Sequence, residues 1–244
     1  METRNWILLR GLARGRGHWG SFAEMFQQSR PQDQFEFLSS PGCGERFAEE
    51  SPVKISDYVE DLRQQSRFIK EGQPVHLLAV SLGGMMAVEW MRLYPQEIAR
   101  AFLVGTSASN WAHFYERFQP HNYIPLVQML TSKNREFIEK KLMHMVANSE
   151  ERIAAEWEAM LSYSRRCPLQ AKNVLRQLYA AAHFDFPEKV PGPVKIIGSH
   201  GDRLVSPRCS LKIAAHWGLE AQMHSWAGHD IAVDDPRWLI EQVL

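Results

Sequence analysis

Short apolar runs and amphipathic stretches alternate along most of this chain. Apolar residues at helical spacing predict helices at 55–70 and 82–94. Runs of aliphatic and β-branched residues, each bounded by turn residues, predict buried strands at 76–80, 101–104, 194–197 and 221–226. This alternation of strand and helix is typical of a doubly wound parallel sheet, in which helices cover both faces.

The alternation stops between residues 111 and 182. No run there predicts a strand, whereas stretches 136–146 and 151–163 carry apolar residues at helical spacing, such as Ile138, Leu142 and Met145. We therefore expect an α/β fold whose core comprises residues 1–110 and 183–244. The helical segment 111–182 is expected to be an insertion into that core.

The composition argues against nucleic acid and membranes as partners. The chain has 28 Lys and Arg residues and 28 Asp and Glu residues, so it lacks the net charge that attracts nucleic acid or an anionic membrane. No apolar run approaches the roughly 20 residues that span a bilayer, and the first run is too short for a signal peptide, so we expect a cytoplasmic protein. Three cysteines without C-x-x-C spacing predict reduced thiols and no zinc site, and no metal or cofactor is expected.

One serine has the surroundings of a nucleophile elbow. Ser81 follows the apolar run 76–80 and precedes the predicted helix 82–94, with the small residues Ala79 and Gly83 two positions away on either side. Strand and helix nearly collide at such a turn, which demands small residues there. By itself the motif also fits a plain turn serine or a phosphate-binding loop, although G-x-G-x-x-G and a P-loop lysine are both missing.

An acid and a base follow this serine in the order that the elbow requires. Asp202 comes just after the predicted strand 194–197, and His229 comes just after the strand 221–226. The carboxyl ends of parallel strands share one edge of a sheet, so we expect both side chains to lie near Ser81. In that arrangement His229 is the general base for a Ser81 nucleophile, and Asp202 orients His229. A turn aspartate is the alternative for Asp202 alone.

Further motifs resemble the α/β-hydrolase superfamily over essentially the whole chain. The apolar run 6–9 followed by Arg10-Gly11 is similar to the first strand and oxyanion loop of that superfamily, whose members usually carry His-Gly there. Residues 35–44 resemble the next strand and its P-G-x-G turn, and residues 228–238 resemble the histidine loop and final helix. The resemblance implies that the inserted segment is a cap over the nucleophile.

The same resemblance implies an oxyanion hole. Its two donors are the backbone N–H groups of Leu82, directly after the nucleophile, and of Leu12 in the early loop. In this superfamily the cap shapes the acyl pocket, so aromatic residues such as Trp111 and Phe114 are candidate substrate-binding residues. Packing in the core of the cap is the alternative for aromatic residues at this spacing.

These motifs predict a serine hydrolase that cleaves a carboxylic ester or thioester. Its substrate is a small-molecule ester or an acyl group on a carrier protein. The short cap and the S-L-G-G elbow are similar to pimeloyl-ACP methyl ester esterases and to the lyases of menaquinone synthesis that make succinyl-hydroxycyclohexadiene carboxylate, so a lyase using the same triad stays open. A non-catalytic binding module of the same fold is the alternative from another class.

Arginines in the early glycine-rich loop add one hypothesis about specificity. Arg14 and Arg16 lie in the stretch that the resemblance brings to the active-site entrance. A guanidinium suits carboxylates and phosphates, so these residues predict a preference for anionic substrates. The alternative is that they form ordinary surface ion pairs.

Overall fold

A computed structural model describes residues 3–244 of the chain. Six strands form one sheet in the order β2-β1-β3-β4-β5-β6, and every neighbouring pair is parallel. The strands are β1 Asn5–Leu9, β2 Gln34–Leu38, β3 Val75–Val80, β4 Ile98–Val104, β5 Val194–Ser199 and β6 Ala221–His224. The predicted parallel α/β architecture is confirmed.

Helices connect the strands and cover both faces of the sheet. Within the α/β part they are α1 Ser21–Ser29, α2 Ile55–Gln65, α3 Arg67–Lys70, α4 Leu82–Leu93, α10 Arg208–Trp217, α11 Ile231–Asp234 and α12 Pro236–Val243. Between β4 and β5 lie α5 Phe114–Arg117, α6 Tyr123–Thr131, α7 Arg135–Val146, α8 Glu150–Arg166 and α9 Ala171–Ala182. Of the residues that the structure describes, none belongs to a helix long and apolar enough to cross a membrane.

The core consists of one apolar layer on each face of the sheet. Alternating β1 side chains point to opposite faces, so Ile7 belongs to the layer under α2, α4 and α10, and Leu8 belongs to the layer under α1, α11 and α12. Each layer is continuous across the neighbouring strands. Strands with apolar residues on both faces are typical of a sheet that is covered on both sides.

For two predicted elements, a side-chain contact explains why the observed bounds differ from the predicted ones. The predicted helix 55–70 is two helices, because Ser66 has an extended backbone (ψ 125°) and its hydroxyl accepts a hydrogen bond from the Ile69 N–H at 3.3 Å, which starts a new helix. The predicted strand 221–226 ends at His224, because the imidazole Nδ1 of His224 accepts hydrogen bonds from the N–H groups of Trp226 and Ala227. That side chain turns the backbone into the loop that precedes His229.

The segment predicted to be helical contains helices α5 to α9 and no strand in any of its residues, all of which the structure describes. Side-chain caps mark where the longer helices begin: Asn134 accepts from the Phe137 N–H at the start of α7, and Ser149 accepts from the Arg152 N–H at the start of α8. Met129 on α6 and Ile138 and Met145 on α7 pack into an apolar cluster of their own. The division into a core of residues 1–110 and 183–244 and a cap of residues 111–182 remains a proposal.

Candidate active site

The elbow at Ser81 has a strained backbone. Ser81 has φ 55° and ψ −115°, a conformation that residues other than glycine rarely adopt. Three hydrogen bonds stabilise it: the Ser81 N–H donates to the Val104 carbonyl at 2.8 Å, and the Ser81 carbonyl accepts from the Gly84 N–H at 2.9 Å and from Thr106 Oγ1 at 2.8 Å. The side chain of Ser81 is thereby turned out of the strand at the carboxyl edge of the sheet.

Two glycines allow the backbones of this edge to approach each other. A Cβ on Gly83 would lie 2.7 Å from the Leu9 carbonyl oxygen and 2.9 Å from that of Arg10, so only glycine lets α4 begin against the end of β1. A Cβ on Gly11 would lie 2.9 Å from Ser81 Cβ. The early loop therefore runs directly beside the elbow.

The acid and the base that the sequence predicts are in contact. His229 Nδ1 lies 2.7 Å from Asp202 Oδ2, and both side chains are buried. The other oxygen, Asp202 Oδ1, accepts hydrogen bonds from the N–H groups of Leu204 and Val205 at 2.9 Å each. These bonds fix the carboxylate, and a carboxylate at Nδ1 leaves the imidazole proton there and the lone pair on Nε2.

The electrostatic surroundings keep His229 basic. Burial lowers the pKa of His229, but the Asp202 carboxylate, through its charge and its hydrogen bond, and the nearby Asp230 carboxylate outweigh burial and raise that pKa above the ordinary value of 6.5. His229 Nε2 is buried and has no hydrogen-bond partner among residues 3–244. A buried lone pair on a basic imidazole is suited to accept a proton.

The two residues predicted to supply oxyanion donors lie near Ser81. Leu82 is the first residue of α4, and Leu12 belongs to the loop that passes beside the elbow. Within the described part of the chain, no acceptor receives a hydrogen bond from either backbone N–H. Because neither N–H group has a partner there, both are free to donate to an oxyanion, which is the role predicted for them.

Arg10, at the position where the resembled superfamily usually carries histidine, forms a buried ion pair. Its guanidinium donates to both oxygens of Asp230, with Nη1 at 3.0 Å from Oδ1 and Nη2 paired with Oδ2. It also lies over the Trp19 ring, 4.7 Å from the centroid. Since Asp230 follows His229 directly, this pair connects the oxyanion loop to the histidine loop.

The two arginines predicted to bind substrate have different surroundings. Arg14 is buried and donates from Nη1 to Glu139 Oε1 on α7 at 2.6 Å. Arg16 is exposed and pairs with Glu45 at 2.8 Å, as the surface alternative predicts. Arg14 contributes to the wall of the active-site cavity, but its charge is already neutralised by Glu139.

A cavity of about 70 Å³ opens beside Ser81 and His229. Its wall includes the loop residues Arg10, Gly11, Leu12, Arg14 and Asp230, together with apolar side chains from the helical segment and from the loop after Asp202. The apolar lining residues are Val80 at the end of β3 and Phe118, Leu126, Met129, Leu142, Met145, Val146 and Leu204. An apolar wall next to a serine suits the hydrocarbon part of an acyl group.

Trp111 and Phe114, which the sequence suggests as substrate-binding residues, lie outside this wall. Trp111 stacks on His216 with ring centroids 4.5 Å apart and packs edge-on to Trp217, next to the α/β core. Phe114 is 73% exposed. The α6 and α7 side chains contribute to the wall, whereas α5, on which Phe114 lies, packs against α10. A substrate-binding role for Trp111 and Phe114 stays a prediction that this cavity does not support.

Sequence reasoning missed two polar residues of the inserted helices. Glu139 on α7 pairs with Arg14, and Gln177 on α9 accepts a hydrogen bond from the Ala13 N–H at 2.7 Å. Both interrupt an apolar stripe: Gln177 lies three residues after Val174 and three before Ala180, and all three side chains are buried. A polar residue in such a stripe needs a buried partner, which was the available signal.

These features define the α/β-hydrolase fold and a serine hydrolase. The profile of the family described as serine aminopeptidase, S33, matches residues 42–235, and the chain belongs to this family. A search of curated proteins by sequence finds no match. The predicted superfamily is confirmed.

Solved structures share the fold over nearly the whole chain. The enol-lactonase from Burkholderia xenovorans LB400 has a TM-score of 0.76 at 14% identity and covers 100% of this chain and 90% of its own. An esterase from Rhodococcus sp. ECU1013 has a TM-score of 0.73 at 17% identity, covering 99% and 89%. A thermophilic esterase from Thermogutta terrifontis has a TM-score of 0.75 at 14% identity, covering 98% and 88%.

Proposed function

We propose that this protein hydrolyses carboxylic esters through an acyl-enzyme intermediate on Ser81. One observation carries the proposal: Ser81, on a strained elbow, shares a cavity with His229, whose Nδ1 is hydrogen-bonded to Asp202 at 2.7 Å. A nucleophile, a base and an orienting acid are the three parts that acyl transfer to serine requires.

In the first half of the reaction, His229 Nε2 removes the proton from Ser81 Oγ as Oγ attacks the ester carbonyl carbon. The carbonyl oxygen becomes an oxyanion and accepts hydrogen bonds from the N–H groups of Leu12 and Leu82. His229 then gives its proton to the departing alcohol, and the acyl group remains on Ser81. In the second half, water attacks the acyl carbon while His229 takes a proton from it. His229 then returns this proton to Ser81 Oγ as the bond between Oγ and the acyl carbon breaks, and the carboxylic acid leaves.

The cavity supports a short acyl group. Its volume of about 70 Å³ is about half the ~150 Å³ of an engineered cavity that binds benzene. An acetyl to butyryl chain is therefore the size that enters without movement of α6 or α7. Because Glu139 neutralises Arg14, we expect neutral acyl groups to be preferred over carboxylate-bearing ones.

Peptide hydrolysis is a second candidate, because the family description names an aminopeptidase. Recognition of a substrate ammonium group needs a carboxylate that is free to bind it. The carboxylate in the cavity wall, Asp230, is already paired with Arg10, which favours ester hydrolysis.

The test is a substrate panel: nitrophenyl acetate, butyrate and octanoate, a carboxylate-bearing ester matched in length to butyrate, and an alanyl nitroanilide. We expect the specificity constant to be highest for acetate or butyrate and lower for octanoate and for the carboxylate-bearing ester. Turnover of the anilide alone would contradict the proposal.

A further inference from the structure

The oxyanion loop contains a second strained residue, which no part of the triad explains. Ala13 has φ 61°, and apart from Ser81 it is the only non-glycine with positive φ in residues 3–244. In this conformation the Cβ of alanine crowds the backbone, whereas glycine has no Cβ. Its surroundings therefore have to select that conformation.

A turn and one side-chain contact stabilise this conformation. The Arg14 N–H donates to the Gly11 carbonyl at 3.3 Å, which closes a turn around Leu12 and Ala13. The Ala13 N–H donates to Gln177 Oε1 at 2.7 Å, and the Gln177 side chain is fully buried. Since α9 lies in the inserted segment, the bond joins the loop beside Ser81 to a helix more than 160 positions later in sequence. Arg14 makes a parallel connection to Glu139 on α7.

The orientation of the Gln177 amide is determined by its other partners. Ser51 Oγ donates its proton to the Pro41 carbonyl at 2.9 Å, so towards Gln177 it acts as an acceptor. Gln177 Nε2 donates to Ser51 Oγ at 2.9 Å and to Cys43 Sγ at 3.1 Å. With Nε2 directed at Ser51, the amide oxygen faces the Ala13 N–H. Burial raises the pKa of Cys43 to about 11, so its thiol is uncharged.

We propose that Gln177 is a positioning residue for ester hydrolysis: through Ala13 it fixes the loop so that the Leu12 N–H points at the oxyanion. The inference rests on the proposed function. Leu12 adjoins Ala13, and rotation of the Ala13 backbone out of its positive φ redirects the residues before it. Gln177 touches neither the substrate nor Ser81 and acts through the loop alone.

Three variants test the proposal. Gln177→Met keeps the length of the side chain but removes the acceptor, and we expect kcat to fall about 10- to 100-fold with KM unchanged, a part of the loss that follows deletion of an oxyanion donor. Affinity for a boronic acid transition-state analogue should fall by a similar factor. Adding Ala13→Gly to Gln177→Met should restore most of kcat, because glycine adopts positive φ without the side-chain contact.

Asn173→Met is the matched control. Asn173 is also a buried amide on α9; it accepts from the Ser51 N–H and donates to the Phe47 and Glu49 carbonyls, and no hydrogen bond among residues 3–244 joins it to the early loop. We expect it to lower the melting temperature and leave kcat unchanged. An equal loss of kcat in both variants, or no rescue by Ala13→Gly, would overturn the proposal.

A further variant covers the case in which Gln177→Met does not fold. Ala13→Val keeps Gln177 but introduces a β-branched residue that is rarely found at positive φ, and it should lower kcat in the same way. Normal kcat in that variant would overturn the proposal. Failure of the proposed function is recognised separately, because Ser81→Ala would then retain activity.

Discussion

The carboxyl edge of the sheet and the inserted helices contribute to the same cavity in different ways. At the sheet edge, the Leu204 and Val205 N–H groups of its own turn fix Asp202, and Asp202 in turn holds His229. Ser81 is held by the backbone of the neighbouring strand β4 and by the Thr106 hydroxyl. The inserted helices contribute an apolar wall and the polar side chains Glu139 and Gln177. We infer that the residues of the sheet edge perform the chemistry, while the inserted helices determine which acyl groups fit and position the early loop.

Removal of the nucleophile at the sheet edge should have the largest effect on turnover. Ser81→Ala is expected to lower ester turnover by on the order of 10⁴-fold or more, because no other hydroxyl is presented by the elbow. The melting temperature should not fall, since alanine fits the same turn. Retention of more than a tenth of the wild-type rate would remove Ser81 from the mechanism.

Asp202→Asn should have the next largest effect, with a loss of about 10³- to 10⁴-fold in turnover. The activity of the wild type requires neutral His229, so it should rise with pH through the pKa of His229, which is raised above 6.5 mainly by Asp202 acting against burial. Without that carboxylate the pKa falls, and the residual activity should reach its plateau at lower pH. An unchanged pH profile would show that His229 is not the titrating base.

Breaking the Arg10–Asp230 pair tests the connection between the loops of the edge itself. Arg10→Met leaves the Asp230 carboxylate buried without its partner, which typically costs about 3–5 kcal/mol of the free energy of unfolding. Denaturant titration measures this cost. Arg16→Met is the control on the same loop, because its exposed pair with Glu45 is worth at most about 1 kcal/mol. Similar losses in both would contradict the bracing role of Arg10.

Enlarging the cavity by shortening a side chain of its wall should have the smallest effect on activity. Met145→Ala adds space to the cavity, and we expect the ratio of octanoate to butyrate specificity constants to rise several-fold while butyrate turnover changes little. Leu211→Ala, an exposed apolar position on α10, is the control. A selectivity ratio that stays constant would mean that α7 does not form the acyl wall.

The sequence predicts the sheet edge better than the helical wall for a physical reason. A parallel sheet brings the loops at its strand ends together, however far apart they are in sequence. The order of the residues and the predicted strand ends therefore suffice to predict the contact between Asp202 and His229. The wall depends on how α5, α6 and α7 pack, which apolar spacing does not determine. Trp111 and Phe114, which the sequence suggests as substrate-binding residues, therefore lie outside the wall, whereas Met129 and Met145 form part of it without any sequence signal for that position.

The sequence does not predict the partners of polar residues that are buried between distant elements. Arg14 was predicted to bind an anionic substrate, and its partner Glu139, 125 positions away, supplies the negative charge from within the protein. Nothing near Arg14 in sequence indicates that partner. Pairing between separate elements has to be observed in the fold.

The most direct test of the proposed chemistry is covalent labelling with a fluorophosphonate, followed by peptide mass analysis. We predict a single adduct on the peptide that contains Ser81, formed in parallel with loss of esterase activity and missing from Ser81→Ala. An adduct on another residue, or full activity after complete labelling of Ser81, would contradict the account.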